Sequence, residues 1–188
     1  MNKIRDYFEQ LVAIDDTDWN IFSSRLEKMV FAKRAMLLRV GQIENHLSFI
    51  EKGSVRFFIP KIENESTFGF RFENEFVSAY DSFLCQQPSS YQLETMSETT
   101  LWRISYQDLM EVYKTTKVGN TIGRLAAEQL FLMKSKREQS LLNESAEERY
   151  MSLFKSRPRL IRELPLKYVA SYIGITPQAL SRIRRQIS

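Results

Sequence analysis

The chain has 188 residues, 43% of them hydrophobic, 27% charged, and a net charge of +4, enough to bury one ordinary core and a smaller one. No apolar run approaches the roughly 18 residues of a membrane span, and the start MNKIRDYFEQ lacks the apolar centre of a secretion signal, so the expected location is the cytoplasm, with no membrane partner. A single cysteine, Cys85, and a single histidine, His46, exclude an intrachain disulfide, a cysteine-held zinc or iron–sulfur centre and a histidine-based metal site.

Residues 4–33 read as helical, with Tyr7, Phe8, Leu11 and Ile14 on one side and a second turn through Trp19, Phe22, Leu26 and Met29. From 36 to 104 the pattern changes to short alternating segments between turn signals, the mark of an antiparallel β structure. The expected strands are 48–50, 54–59, 67–72, 91–95 and 100–104, with a polar hairpin connection at 62–66. Phe68, Phe70 and Phe72 alternate strictly, which predicts one aromatic sheet face. Glu73, Glu75 and Asp81 are scattered acids on this β region, with no nucleophile, base or phosphate loop to support an enzyme.

Helical spacing returns at 106–114 and again from 117 to at least 141, a helix of roughly 37 Å at 1.5 Å per residue. Along it Val118, Ile122, Leu125, Gln129 and Leu132 alternate spacings of four and three, the seam of a two-stranded coiled coil. A second stripe, Ala126, Leu130, Met133 and Arg137, lies beside the first. Two stripes imply two partners, the chain's own β domain and the same helix of a second copy; one broad face buried within a monomer is the alternative. Gly119 and Gly123 permit close backbone approach while weakening the helix start. Asn143 and Glu144 interrupt the pattern, and Ser145 with Glu148 forms a capping box for a helix at 146–155. The expected division is 1–116, 117–142 and 143–188, with a turn at 156–158 and 159–163 leading into the final segment.

That segment, LPLKYVASYIGITPQALSRIRRQIS, has the layout of a helix-turn-helix. Leu166, Val169, Ala170 and Ile173 share one apolar face, Pro165 suits the first turn, and Gly174 ends the helix. Thr176 caps a second helix with Pro177 in its first turn, and Ile175 and Leu180 are spaced as a hydrophobic staple. Leu180, Ile183 and Ile187 turn inward, leaving Gln178, Ser181, Arg182 and Arg185 on the other face, flanked by Arg184. Arginine pairs with guanine, glutamine with adenine, and serine or flanking arginine with phosphate, so Thr176, Pro177, Gln178, Ser181, Arg182, Arg184 and Arg185 form the candidate surface for double-stranded DNA. Charge agrees: from 145 onward there are nine Lys or Arg and three Glu, while the other residues carry 18 basic and 20 acidic side chains. A basic module on a near-neutral body suits a polyanionic partner, and no long apolar face remains to enter a membrane.

The order of these parts resembles the Crp/Fnr superfamily of bacterial transcription regulators over nearly the whole chain. YVASYIGITPQALSRIRRQ carries most of the resemblance, and Gly41 and Gly53 bracket IENHLSFIEKGSVRFFI in the manner of the family's sensor strands. The resemblance implies an α+β protein: an N-terminal β-roll of the jelly-roll, cyclic-nucleotide-binding-like type, a long dimerisation helix and a C-terminal helix-turn-helix. It implies a homodimer joined through the long helix, reading a palindromic operator with half-sites about 34 Å apart, with RNA polymerase as a candidate partner.

Two departures qualify that implication. The family's nucleotide cassette resembles FGEL followed by PRA, whose Glu holds the ribose and whose Arg pairs with the cyclic phosphate. Here FVSA and YDSFLCQQPSS place Ser78 for the Glu and Ser89 for the Arg, and a serine cannot supply a bidentate charged contact. Cyclic AMP is therefore not the expected effector, no cofactor is implied, and the altered pocket would be formed by Phe76, Ser78, Ala79, Ser89 and Ser90. The family's β wing after the recognition helix is not expected, since the sequence stops at Ser188 and 157–163 is too short for a sheet. Met133, Phe131 and Trp102 read as core rather than effector ligands, and Cys85 as an inert thiol. The rival expectation is a small-molecule-sensing module that signals to a protein partner, its helix-turn-helix vestigial.

Overall fold

Hydrophobic residues of two antiparallel sheets meet in one interior, and the helices cover what the sheets leave open. The computed structural model describes residues 2–62 and 65–187. After α1 (Asn2–Glu9) and α2 (Asp16–Ser23) come β1 (Glu27–Phe31), β2 (Met36–Leu38), β3 (His46–Lys52), β4 (Ser54–Ile59), β5 (Ser66–Phe72) and β6 (Phe76–Val77). The short α3 (Tyr80–Cys85) precedes β7 (Gln92–Thr95) and β8 (Thr99–Ser105). Among the described residues the strand orders are β1-β8-β3-β6 and β2-β7-β4-β5, every pairing antiparallel.

Ile50, Val55, Leu93 and Leu101, at most 1% exposed, bind the sheets into a sandwich. Strands fall on all five expected segments, β7 beginning at Gln92 rather than at Tyr91. The chain changes sheets between β3 and β4 at Gly53, whose φ of +99° and close approach leave no room for a side chain: a Cβ there would lie 2.6 Å from the Glu98 carbonyl oxygen. The hairpin expected at 62–66 falls partly on residues 63 and 64, which lie outside the described residues.

Two local expectations are corrected. Residues 27–31 are not helical but form β1, an edge strand registered against β8 from Glu27 opposite Arg103 to Phe31 opposite Thr99. Leu26 and Met29 fit a helical spacing, but pairing with an existing strand outweighs that local preference. The three phenylalanines of β5 do not share one face. Phe57 stands opposite Gly69 and Phe58 opposite Thr67, so Phe68 is the extra residue of a β-bulge and packs inward on Phe57 and Tyr91. Phe70 and Phe72 instead face the C-terminal helices.

Two helices follow the sandwich, α4 (Tyr106–Thr115) and α5 (Gly119–Asn143). Asp18, only 3% exposed, receives the backbone N–H groups of Lys117 and Val118 at 2.8 and 3.0 Å and so fixes the entry of α5. The upper part of the expected coiled-coil seam, Val118 and Ile122, packs into the chain's own core, while Leu132 is 65% exposed. The helix ends where Asn143 and Glu144 predict, and Ser145 and Glu148 form the expected capping box of α6 (Ala146–Ser156). Residues 158–163 are a further helix, α7 (Pro158–Glu163), because Pro158 at its start fixes a helical φ without losing a needed hydrogen bond. Then come α8 (Leu166–Tyr172) and α9 (Pro177–Ile187). Pro165 caps α8 rather than standing in its first turn.

Candidate nucleic-acid interface and effector cavity

The turn between α8 and α9 is built from the residues expected to build it. Gly174 adopts φ +78°, its N–H donates to Ser171, and the Ile175 N–H donates to the Ala170 carbonyl at 3.0 Å, closing a Schellman stop. The Thr176 hydroxyl oxygen then accepts from the Ala179 N–H at 3.2 Å, capping α9. Leu180 is fully buried and groups with Ile175 and Ile183, as a staple requires, whereas Ile187 stays 39% exposed.

The other side of α9 faces solvent. Thr176, Pro177, Gln178, Arg182, Arg184 and Arg185 are exposed, and Ser181 is half-buried. The Ser181 hydroxyl donates to the Pro177 carbonyl at 2.9 Å and the Arg185 Nε donates to the Ser181 carbonyl at 3.4 Å, so both are partly engaged by their own helix. The seven candidate residues thus lie on a single short helix and its cap, held by one buried leucine.

The helix before it is turned toward the sandwich. The Thr67 N–H of β5 donates to Ser171 Oγ at 2.7 Å, and the Phe70 and Tyr172 rings lie 5.6 Å apart. Arg56, 4% exposed, sits between the rings of Phe58 at 4.0 Å and Tyr168 at 4.3 Å. Its charge is met by Glu94 at 2.6 Å and by Glu65 at 2.7 Å, and these partners hold its pKa above the ordinary arginine value despite burial. Phe70 and Phe72 complete one core with Tyr150, Leu160, Val169 and Leu180, so β5 and the C-terminal helices share their interior.

A cavity of about 580 Å³ lies where the sandwich, α5 and these C-terminal helices meet. Phe76 and Ser78 line it; Ala79 is wholly buried in the sandwich core, and Ser90 is exposed. Ser89 does not line it, because its hydroxyl donates to the Tyr91 carbonyl at 2.9 Å and accepts the Tyr91 N–H at 3.2 Å. Ser78 Oγ is buried with no hydrogen-bond partner among the described residues. Met133 lines the cavity as well, whereas Phe131 is 70% exposed and Trp102, outside the lining, donates to Glu51 at 3.1 Å. Tyr113 lies on the cavity wall, where burial pushes its hydroxyl up to about 12.

Three arginines at this junction were not among the candidates drawn from sequence: Arg71 of β5, Arg137 of α5 and Arg157 just before α7. Burial lowers the pKa of Arg71 and of Arg137, and Arg157 pushes both the same way. Arg137 carried a signal, an arginine within an otherwise apolar helical stripe. Arg71, between Phe70 and Phe72, carried none, because alternation along a strand gives a charged residue to the open face and the bulge changes which face that is.

Comparison with known proteins agrees with this architecture. Residues 28–116 match the cyclic nucleotide-binding domain family. The match covers just under half of the chain and spans the strands of the sandwich together with α4. Among solved structures, the c-di-GMP-responsive global regulator CLP of Xanthomonas campestris superimposes with a TM-score of 0.69 at 17% identity, covering 92% of this chain and 91% of that one. FixK2 from Bradyrhizobium japonicum gives 0.71 at 14% identity, with 86% and 84% covered. The Thermus thermophilus catabolite activator protein gives 0.57 at 17% identity, with 94% and 85% covered. These structural neighbours are Crp/Fnr-family regulators, and at such identities the likeness is one of fold. Comparison with curated protein sequences gives no significant match.

Proposed function

We propose that this chain is a sequence-specific DNA-binding transcription regulator without catalytic activity, working as a homodimer. The observation that carries the reading is α9: a capped helix anchored by Leu180, with Gln178, Arg182 and Arg185 exposed along it, in a C-terminal segment of strongly positive charge. In this reading α8 and α9 are a helix-turn-helix, α9 enters the major groove, and Arg182 reads a base edge while Arg184 and Arg185 serve the backbone. The second subunit would pack along α5, where Phe131, Leu132 and Leu142 are 70, 65 and 77% exposed within one chain.

The effector in this reading is not a cyclic nucleotide. A cyclic phosphate needs a fixed cation at the position of Ser89, and that hydroxyl is already engaged by the backbone of Tyr91. Selection from a random duplex library at physiological salt tests the DNA reading, with the intact chain beside Arg182→Ala. The expected result is a palindrome with half-sites one helical turn apart, lost in the variant. Enrichment of no sequence, or of the same sequence by both proteins, would overturn the assignment to α9.

A further inference from the structure

We infer that the junction cavity binds an amphipathic carboxylate, its acidic head held by Arg71 and Arg137 and its apolar body lying along the aromatic wall of the sandwich and α5. The volume of about 580 Å³ falls within the range of roughly 300–1,000 Å³ typical of small-molecule sites. The wall is mainly apolar, with Phe68, Phe76, Tyr113, Ala126, Leu130 and Met133 among its side chains.

Charge at one end of this cavity is unbalanced. Arg157 pairs with Glu75 at 3.4 Å. Arg71 forms no ion pair among the described residues, although the Glu75 carboxylate acts on it from further off, and it donates to the Phe70 carbonyl at 3.0 Å. Arg137 likewise meets no carboxylate among the described residues: one terminal nitrogen donates to the Tyr172 carbonyl at 2.8 Å, and its Nε is buried with no partner among them. Lys134 and Glu138, one turn apart on the exposed rim, offset each other, and Asp18 is taken by the backbone at the start of α5. Three guanidinium groups against one carboxylate favour an anion. A guanidinium with an unused N–H matches a carboxylate better than a neutral head group.

The unpartnered Ser78 hydroxyl, 8% exposed, is a second independent sign of a ligand, because a buried polar atom without a partner is costly. It provides for one hydrogen-bonding group on the ligand body. Arg71, Arg137 and Arg157 come from β5, α5 and the C-terminal unit respectively, so the head group would touch all three parts of the chain. The site stands apart from the DNA reading, since binding is measured without DNA.

The test is calorimetric titration of the intact chain with decanoate and 1-anilinonaphthalene-8-sulfonate, each an apolar body with one anionic head, against decan-1-ol and decylammonium. Decanoate should bind about tenfold or more tightly than decan-1-ol, as expected for a charged hydrogen bond, and decylammonium more weakly than either. Arg137→Gln should remove the preference for decanoate over decan-1-ol while leaving decan-1-ol unchanged. Arg71→Gln serves as the second variant, because Arg137 also braces Tyr172. Ala126→Trp, which fills the cavity from α5, should weaken both. Equal affinity for decanoate and decan-1-ol, an unchanged preference in both arginine variants, or failure of both anions to bind at millimolar concentration would overturn the proposal.

Discussion

The backbone N–H of Thr67 donates to Ser171 Oγ at 2.7 Å, joining β5 to α8 across 104 residues of chain. Thr67 is 1% exposed, so its amide has no water to turn to if the hydroxyl is removed. Ser171→Ala should cost about 1–3 kcal/mol, the penalty of a buried unsatisfied donor. Hydrogen exchange at Thr67 and along α8 should quicken, while exchange along β1 and β8 stays as it was. Unchanged protection at Thr67 would mean that this bond does not hold the C-terminal helices in place.

Arg56 is the second fastening on the same side. Glu94→Gln leaves a guanidinium only 4% exposed with Glu65 as its one carboxylate among the described residues, and breaking a buried pair costs about 3–5 kcal/mol. The lower end applies, since one partner remains. Tyr168→Leu removes the ring at 4.3 Å and should cost about 1–2 kcal/mol, with apolar packing retained. Urea denaturation separates the two effects: the larger loss should follow Glu94→Gln, and the reverse order would show that stacking rather than charge carries the contact.

Much of this was legible along the chain, and the illegible parts share a cause. The cap at Thr176, the stop at Gly174, the capping box at Ser145 and the break at Asn143 are local devices whose residues act on neighbours within a turn, so spacing alone reveals them. Local spacing gives residues 27–31 to a helix because β1 exists only through pairing with β8, some seventy residues away. Likewise the split of Phe68 from Phe70 and Phe72 depends on a bulge set by the partner strand. The arginine cluster is harder still: Arg71, Arg137 and Arg157 belong to three separate elements, and only the folded chain brings them to one cavity.

Glu44 gives the fold a pH dependence of definite sign. It is 5% exposed, and burial raises its pKa although its carboxylate accepts the N–H groups of His46 at 3.0 Å and Ala79 at 3.4 Å, with Arg103 also acting to lower it. A carboxyl whose folded pKa lies above its unfolded value binds its proton more tightly in the native state. Its contribution is therefore full below the unfolded pKa and is lost as pH rises through the folded one. Across the ordinary carboxylate range and just above it, the stability gap between wild type and Glu44→Gln should narrow as pH rises. His46, whose pKa burial lowers, is common to both proteins and cancels in the comparison. Urea midpoints of the two proteins across that range provide the check, and a gap that widens with pH would show that hydrogen bonding outweighs burial at Glu44.

Placement of α9 and the strength of its grip on DNA can be separated by salt. Gly174 adopts φ +78°, so Gly174→Ala strains the turn by about 1 kcal/mol and tilts α9 without removing any exposed side chain. Arg185→Ala leaves the turn intact and removes one exposed cation from each subunit. Each neutralised phosphate contributes about 0.9 to the slope of log affinity against log salt concentration, so a dimer of Arg185→Ala should lose about two units of slope. Gly174→Ala should weaken binding at every salt concentration while keeping its slope nearer that of wild type. A wild-type slope close to zero would remove the basis for treating this basic segment as a phosphate-binding surface, and equal slopes in wild type and Arg185→Ala would place Arg185 away from the backbone.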